Sequence, residues 1–171
     1  AMSAMAAVRS GVGLVSVLTP EGVASMVGGL VPEAMVHAGL SNAAGSLAAG
    51  AINQFGHDLS AFDAVLIGPG MTAHADSASL VEVVLASDVS EIVLDADALN
   101  IVASNPSLLA GDRTGVIVTP HPGEMARLLG VDVAAVQGDR FDVAMRAAAQ
   151  FGATVVLKGA GTVVAQKGLP L

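Results

Sequence analysis

Lys158-Gly159-Ala160-Gly161-Thr162 carries the densest chemistry in the chain. Successive N–H groups of a glycine-rich loop can turn inward as an anion nest. Lys158 adds a compact positive charge, and Thr162 adds a hydroxyl donor. The same residues also read as a hairpin joining Val155-Val156-Leu157 to Val163-Val164-Ala165, and the two readings are compatible. A Walker A loop is excluded by the spacing and by the lack of a helix signal after Thr162. The second stretch is Thr119-Pro120-His121-Pro122-Gly123-Glu124. Pro122 suits the first position of a helix, and Glu124 complements its positive end. Alone, this turn reads equally as a capped junction or as a ligand-binding turn. Asp95 and Asp97 read as helix caps, above all Asp97 before Ala98-Leu99, or as two carboxylates that orient a hydrated Mg2+. Gly68-Pro69-Gly70 is an ordinary turn, or a backbone bare enough for a ligand to approach closely.

These stretches have one thing in common: each follows a short apolar run. Ala64-Val65-Leu66-Ile67, Glu91-Ile92-Val93-Leu94, Gly115-Val116-Ile117-Val118 and Thr154-Val155-Val156-Leu157 read as buried strands. Helical spacing recurs between them, at Leu80, Val83 and Val84, at Met125, Leu128 and Leu129, and at Phe141, Met145 and Ala148. Upstream, Ala1–Val8 reads as a helix and Leu14–Leu18 as a strand. A helix then starts at Thr19 as N-cap with Pro20 in first position, and Pro32–Val36 is a possible short strand. Residues 38–53 are rich in Gly, Ala and Ser and read as a loop or a small-residue helix. Alternating strands and helices predict an α/β fold, a mostly parallel sheet with helices on both faces, in a single domain over residues 1–171. Parallel strands share a direction, so all four chemical stretches fall on one edge, where such sheets bind ligands.

The composition narrows the partners. Of 171 residues, 53% are hydrophobic and 13% charged, enough to bury a large core. Aromatics are 2%, with no Trp or Tyr, and the net charge is −8, so neither a basic stripe nor a stacking platform exists for nucleic acid. No apolar run reaches transmembrane length. The chain has no Cys, which is compatible with a cytoplasmic setting and excludes a thiolate metal site. His37, His57 and His74 have no evident partners and read as surface or loop residues. Without an H-x-x-x-H pair, zinc is not expected.

Taken together, Gly68-Pro69-Gly70, Leu94-Asp95-Ala96-Asp97-Ala98-Leu99-Asn100, Thr119–Glu124 and Lys158–Thr162 resemble, in this order, the ADP- or ATP-dependent NAD(P)H-hydrate dehydratases of the ribokinase-like superfamily. Ala7–Val15 resembles that family's entry from helix to strand. The resemblance implies a lyase that repairs hydrated NADH and NADPH. A nucleotide phosphorylates the ring hydroxyl, and phosphate then leaves to restore the double bond. It implies ADP or ATP with Mg2+, substrate contacts at Gly70, Thr72 and His121, and nucleotide contacts at Lys158, Gly159, Ala160, Gly161 and Thr162. The family has Gly where this chain has Thr72. The family's general-base Asp sits in a G-[ST]-G-D loop expected beyond Leu171, and its first helix and substrate loop are expected before Ala1. The chain alone is therefore expected to be a partial, inactive domain. A homo-oligomer and an accompanying epimerase are further expectations. A small-molecule kinase of the same superfamily and a non-catalytic nucleotide-binding module are the competing functions.

Overall fold

A computed structural model of the chain describes residues 1–54, 58–111 and 113–168. They form two compact units. The first takes the described residues before Asp58 together with His74–Leu80, and the second takes Asp58–Ala73 and the chain from Val81 onward. Among the described residues, no helix is long and apolar enough to cross a membrane.

The first unit is a β-α-β unit. Helix α1 (Met2–Arg9) precedes β1 (Ser16–Pro20), α2 (Glu21–Leu30) and β2 (Met35–Gly39). The two strands pair in parallel, from Ser16 opposite Met35 to Pro20 opposite Gly39. Several expectations are corrected here. Leu14 lies outside the strand and is exposed, while Thr19 and Pro20 belong to β1 rather than to the start of a helix. Pairing of Thr19 with Ala38 and Pro20 with Gly39 extends the strand, and proline is tolerated at a strand end. The strand expected at Pro32–Val36 starts later, at Met35. Residues 38–53 are neither one loop nor one helix. Ser41 bridges Leu47, Asn42 closes a turn by accepting from Ala44 N and Ser46 N, and a 3₁₀ segment spans Ala49–Gln54. His37 lies within β2, half-buried, rather than in a loop. His57 is outside the described residues.

The second unit holds the larger sheet, of strands β3 (Ala64–Ile67), β4 (Glu91–Leu94), β5 (Val116–Val118), β6 (Thr154–Leu157) and β7 (Val163–Ala165), in that spatial order. The first three pairings are parallel and the last is antiparallel. The α/β class and the mostly parallel pairing are as expected, with the strands divided between two sheets. Helices α3 (Ala75–Leu85), α4 (Asp97–Ser104), α5 (Pro122–Leu129), α6 (Val133–Gly138) and α7 (Arg140–Phe151) link them. The alternate residues Ile92 and Leu94, Val116 and Val118, and Val155 and Leu157 are buried, as strands under helices require. Helix α7 covers β6 and β7 through Val143, Ala144, Ala147, Ala148 and Phe151. Its alanines let helix and sheet approach closely. Gly152, at φ +61, ends it in the left-handed conformation that glycine adopts without strain.

Candidate active site at the strand ends

The C-terminal ends of β3, β4, β5 and β6 lie side by side, and each opens into one of the stretches singled out by its chemistry. Lys158, directly after β6, draws three of them together. Its Nζ stands 2.6 Å from Asp95 Oδ1, after β4, and 3.8 Å from Glu124 Oε2, in the first turn of α5. Its backbone N–H donates to the Pro120 carbonyl at 2.8 Å. Partial burial of Asp95 works to raise its carboxyl. Hydrogen bonds from Lys158 and Thr119, with the lysine's charge, outweigh it and hold the group below its ordinary value. Glu124 is almost fully buried, so a cation beside it is an electrostatic necessity.

His121 is the N-cap of α5. Its Nδ1 accepts from the amides of Gly123 at 3.0 Å and Glu124 at 3.3 Å, while Glu124 Oε2 accepts from His121 N at 2.8 Å. This is a capping box with histidine in the serine position. Pro122 occupies the first helical position, as the sequence predicts. An Nδ1 that accepts two amides carries no hydrogen, so the neutral ring presents an Nε2–H donor. Nε2 lies 3.4 Å from Glu124 Oε1, and the side chain is half-exposed. With Nδ1 engaged by the two amides, the ring's donor is Nε2–H, whose near neighbour is Glu124 Oε1.

The β3 and β4 turns interlock. Gly68 has φ +126, and a Cβ there would stand 1.8 Å from the Asp95 carbonyl oxygen. Its bareness therefore serves packing between strands. Gly70, at φ +75, faces open space, as an approach by a ligand requires. Thr72 N donates to Asp97 Oδ2 at 2.9 Å. Asp97 is thus not the cap expected of it; the N-cap is Ala96, with φ 50 and ψ −117 and no side-chain bond. Asp97 instead ties the two turns together. Thr72 (φ 62) and Ala96 are the non-glycine residues with positive φ among those described, and both flank this tie. Strain concentrated at one place is the usual mark of a functional site.

The loop after β6 is both a hairpin and a glycine-rich turn. Strand β7 returns antiparallel with Leu157 opposite Val163, and Thr162 Oγ1 donates to the Gly159 carbonyl at 3.2 Å. Residues Gly159 to Thr162 are exposed. The sequence gives no signal for Arg140, whose guanidinium reaches the carbonyls of Leu157, Lys158 and Gly161 from the start of α7. Nor does it signal that Glu124 faces Lys158, or that Arg127 Nε donates to Asn100 Oδ1 at 2.9 Å, joining α5 to α4.

For a cation the arrangement is less suited. Asp95 holds Lys158 and Asp97 holds Thr72 N, so these two carboxylates do not present a ready ligand set for Mg2+. Among the described residues, no group of three or more His, Asp or Glu side chains could hold a metal. His74 lies in the first unit, where it contacts Asn42 and Asp76.

The family described as NAD(P)H-hydrate dehydratase matches residues 1–171. A bifunctional NAD(P)H-hydrate repair enzyme of Moorella thermoacetica is 38% identical over 96% of this chain and 31% of its own length. The ADP/ATP-dependent NAD(P)H-hydrate dehydratase of Bacillus subtilis, co-crystallized with ATP/Mg2+ and soaked with CoA, superposes with a TM-score of 0.71 at 30% identity. That match covers 96% of this chain and 56% of that one. A ribokinase-like superfamily protein of Enterococcus faecalis gives a TM-score of 0.78 at 25% identity, over 96% of this chain and 54% of that one. The chain thus spans about a third of the repair enzyme and just over half of each solved structure. By sequence, fold and match over all its residues, this chain belongs to the NAD(P)H-hydrate dehydratase family.

Proposed function

We propose that the protein carrying this chain is a nucleotide-dependent lyase that dehydrates hydrated NADH and NADPH, and that the edge formed by β3–β6 supplies part of its active site. The observation that carries this reading is Lys158, which links Asp95 and Glu124, with the half-exposed His121 ring on the other oxygen of Glu124. In this reading the ring hydroxyl attacks the terminal phosphorus of ADP or ATP. A new P–O bond forms as the bond to the remaining nucleotide breaks. The phosphate then departs with the C–O electron pair, a ring proton is lost, and the double bond returns. A poor leaving group becomes a good one, and the protein's part is to position and to neutralise charge.

The roles are those that the family resemblance implies. Gly70, Thr72 and His121 face the hydrated nicotinamide nucleotide, and His121 donates from Nε2. Gly159, Ala160, Gly161 and Thr162 offer amides and a hydroxyl to the nucleotide's phosphates, with Lys158 supplying the nearest positive charge. Mg2+ enters with the nucleotide, held by phosphate oxygens and water rather than by Asp95 and Asp97. The candidate bases at this edge are engaged: Asp95 by Lys158, Glu124 by His121 N, and His121 Nδ1 by two amides. We assign the general base to the family's glycine-aspartate loop, outside residues 1–171.

In the same reading, the two compact units belong to one ribokinase-like domain. The protein works in the cytoplasm as a homo-oligomer, supported by the partly exposed Leu66 on the edge strand β3. An epimerase activity accompanies it, supported by the bifunctional repair enzyme among its relatives. The test is spectrophotometric. The purified native protein is given hydrated NADH with ADP or ATP, and NADH absorbance should return only when nucleotide is present. No recovery with either nucleotide would refute the assignment.

A further inference from the structure

Arg140, at the start of α7, holds the glycine-rich loop by its carbonyls. Its Nη2 donates to the carbonyls of Leu157 at 3.0 Å, Lys158 at 3.2 Å and Gly161 at 3.2 Å. Its Nη1 donates to Gln137 Oε1 at 2.9 Å, which fixes the plane of the guanidinium. Gly159 lies against this guanidinium. Its φ of +148 is one that glycine adopts without strain, and a Cβ there would also stand 3.0 Å from both Nη1 and Nη2.

The consequence lies in peptide geometry. In a trans peptide the C=O of one residue and the N–H of the next point in opposite directions. A guanidinium that gathers the carbonyls of Leu157, Lys158 and Gly161 therefore turns the amides of Lys158, Gly159 and Thr162 away from itself. The first of these shows the result directly, since Lys158 N reaches the Pro120 carbonyl at the end of β5. We infer that Arg140 is a positioning residue for nucleotide binding, orienting the Gly159 and Thr162 amides toward the phosphates from behind the loop. It does so without touching the ligand. The inference rests on the nucleotide-binding reading of Lys158–Thr162 proposed above. A lysine cannot replace it, because it lacks the second nitrogen that holds Gln137 while the first serves the carbonyls.

The experiment compares the wild-type native protein with Arg140→Met, Arg140→Lys and Gly159→Ala. KM is measured separately for nucleotide and for hydrated NADH. The inference predicts that R140M and R140K raise the nucleotide KM roughly tenfold and leave the KM for hydrated NADH within about twofold. G159A, which strains the loop at φ +148 and also crowds the guanidinium, should raise the nucleotide KM at least as much. Free guanidinium ion should restore nucleotide affinity to R140M and do nothing for G159A. Unchanged nucleotide KM in R140M and G159A, or equal rises in both KM values, would overturn the inference while leaving the function standing. No turnover by the wild type overturns both.

Discussion

Two turns in this protein begin with a histidine whose Nδ1 accepts the amide two residues on, and the protein uses them differently. In the first unit, His74 accepts from Asp76 N at 3.3 Å, and Asp76 accepts from Asn42 Nδ2 at 2.7 Å. The His74 ring contacts Asn42 and Asp76, one local polar cluster around the Asn42 turn, and its side chain is half-exposed. In the second unit, His121 caps α5 in the same manner, but its carboxylate partner Glu124 is buried and faces a lysine from another strand. The first turn closes on itself. The second is wired to β4 and β6. A histidine cap is thus a common structural device, and the buried carboxylate with a distant cation turns it into part of a site.

The comparison breaks most visibly at Lys158. Lys158→Met leaves the buried Glu124 and the half-buried Asp95 without their cation. Removing one partner of a buried pair costs several kcal/mol, and the 40% exposure of Lys158 reduces this to about 1–2 kcal/mol, read as a lower midpoint in denaturant. Asn42→Ala, which dismantles the His74 cluster, should cost about 1 kcal/mol and leave turnover intact.

The histidines themselves come next. His121→Ala and His74→Ala each remove a ring that accepts the amide two residues on and should cost about 1 kcal/mol. Only H121A should also lower kcat/KM, on the order of 100-fold, because only that ring presents its Nε2–H beside Lys158 and Glu124. Equal activity losses in the two variants would erase the distinction.

Backbone strain and acid give smaller effects. Thr72→Gly should stabilise the fold by about 1 kcal/mol, since φ 62 costs threonine what it does not cost glycine. Asp95 and Asp76 both have carboxyls held below the ordinary value of 3.8. A depressed folded value contributes stability that is complete above 3.8 and is lost as pH falls through the lower folded value. Acid unfolding should therefore steepen below about pH 4. K158M should weaken the share owed to Asp95, whose depression depends on that lysine. The share owed to Asp76 should persist, because its main cause is the hydrogen bond from Asn42.

The residues that were legible in the sequence are those whose environment is local. Pro122 and Glu124 mark the start of α5 by type alone. The apolar runs ending at Ile67, Leu94, Val118 and Leu157 give both the strands and the edge they share. Errors arose where tertiary pairing decided. Pro20 looks like a helix start until Gly39 is known to lie opposite it. Asp97 looks like a cap until Thr72, distant in sequence, donates to it. Arg140 and the Lys158–Asp95 pair join residues far apart in the chain, so no periodicity or spacing could announce them. The functional meaning of the glycine-rich loop came from its resemblance to a family, since a hairpin and an anion nest have the same local sequence.

The most direct measurement is the rate at which NADH reappears from hydrated NADH with ADP or ATP, in wild type and K158M side by side. The site described here predicts nucleotide-dependent recovery by the wild type and a rate on the order of 100-fold lower in K158M that remains folded. Equal rates in the two would contradict the placement of Lys158 at the centre of the site.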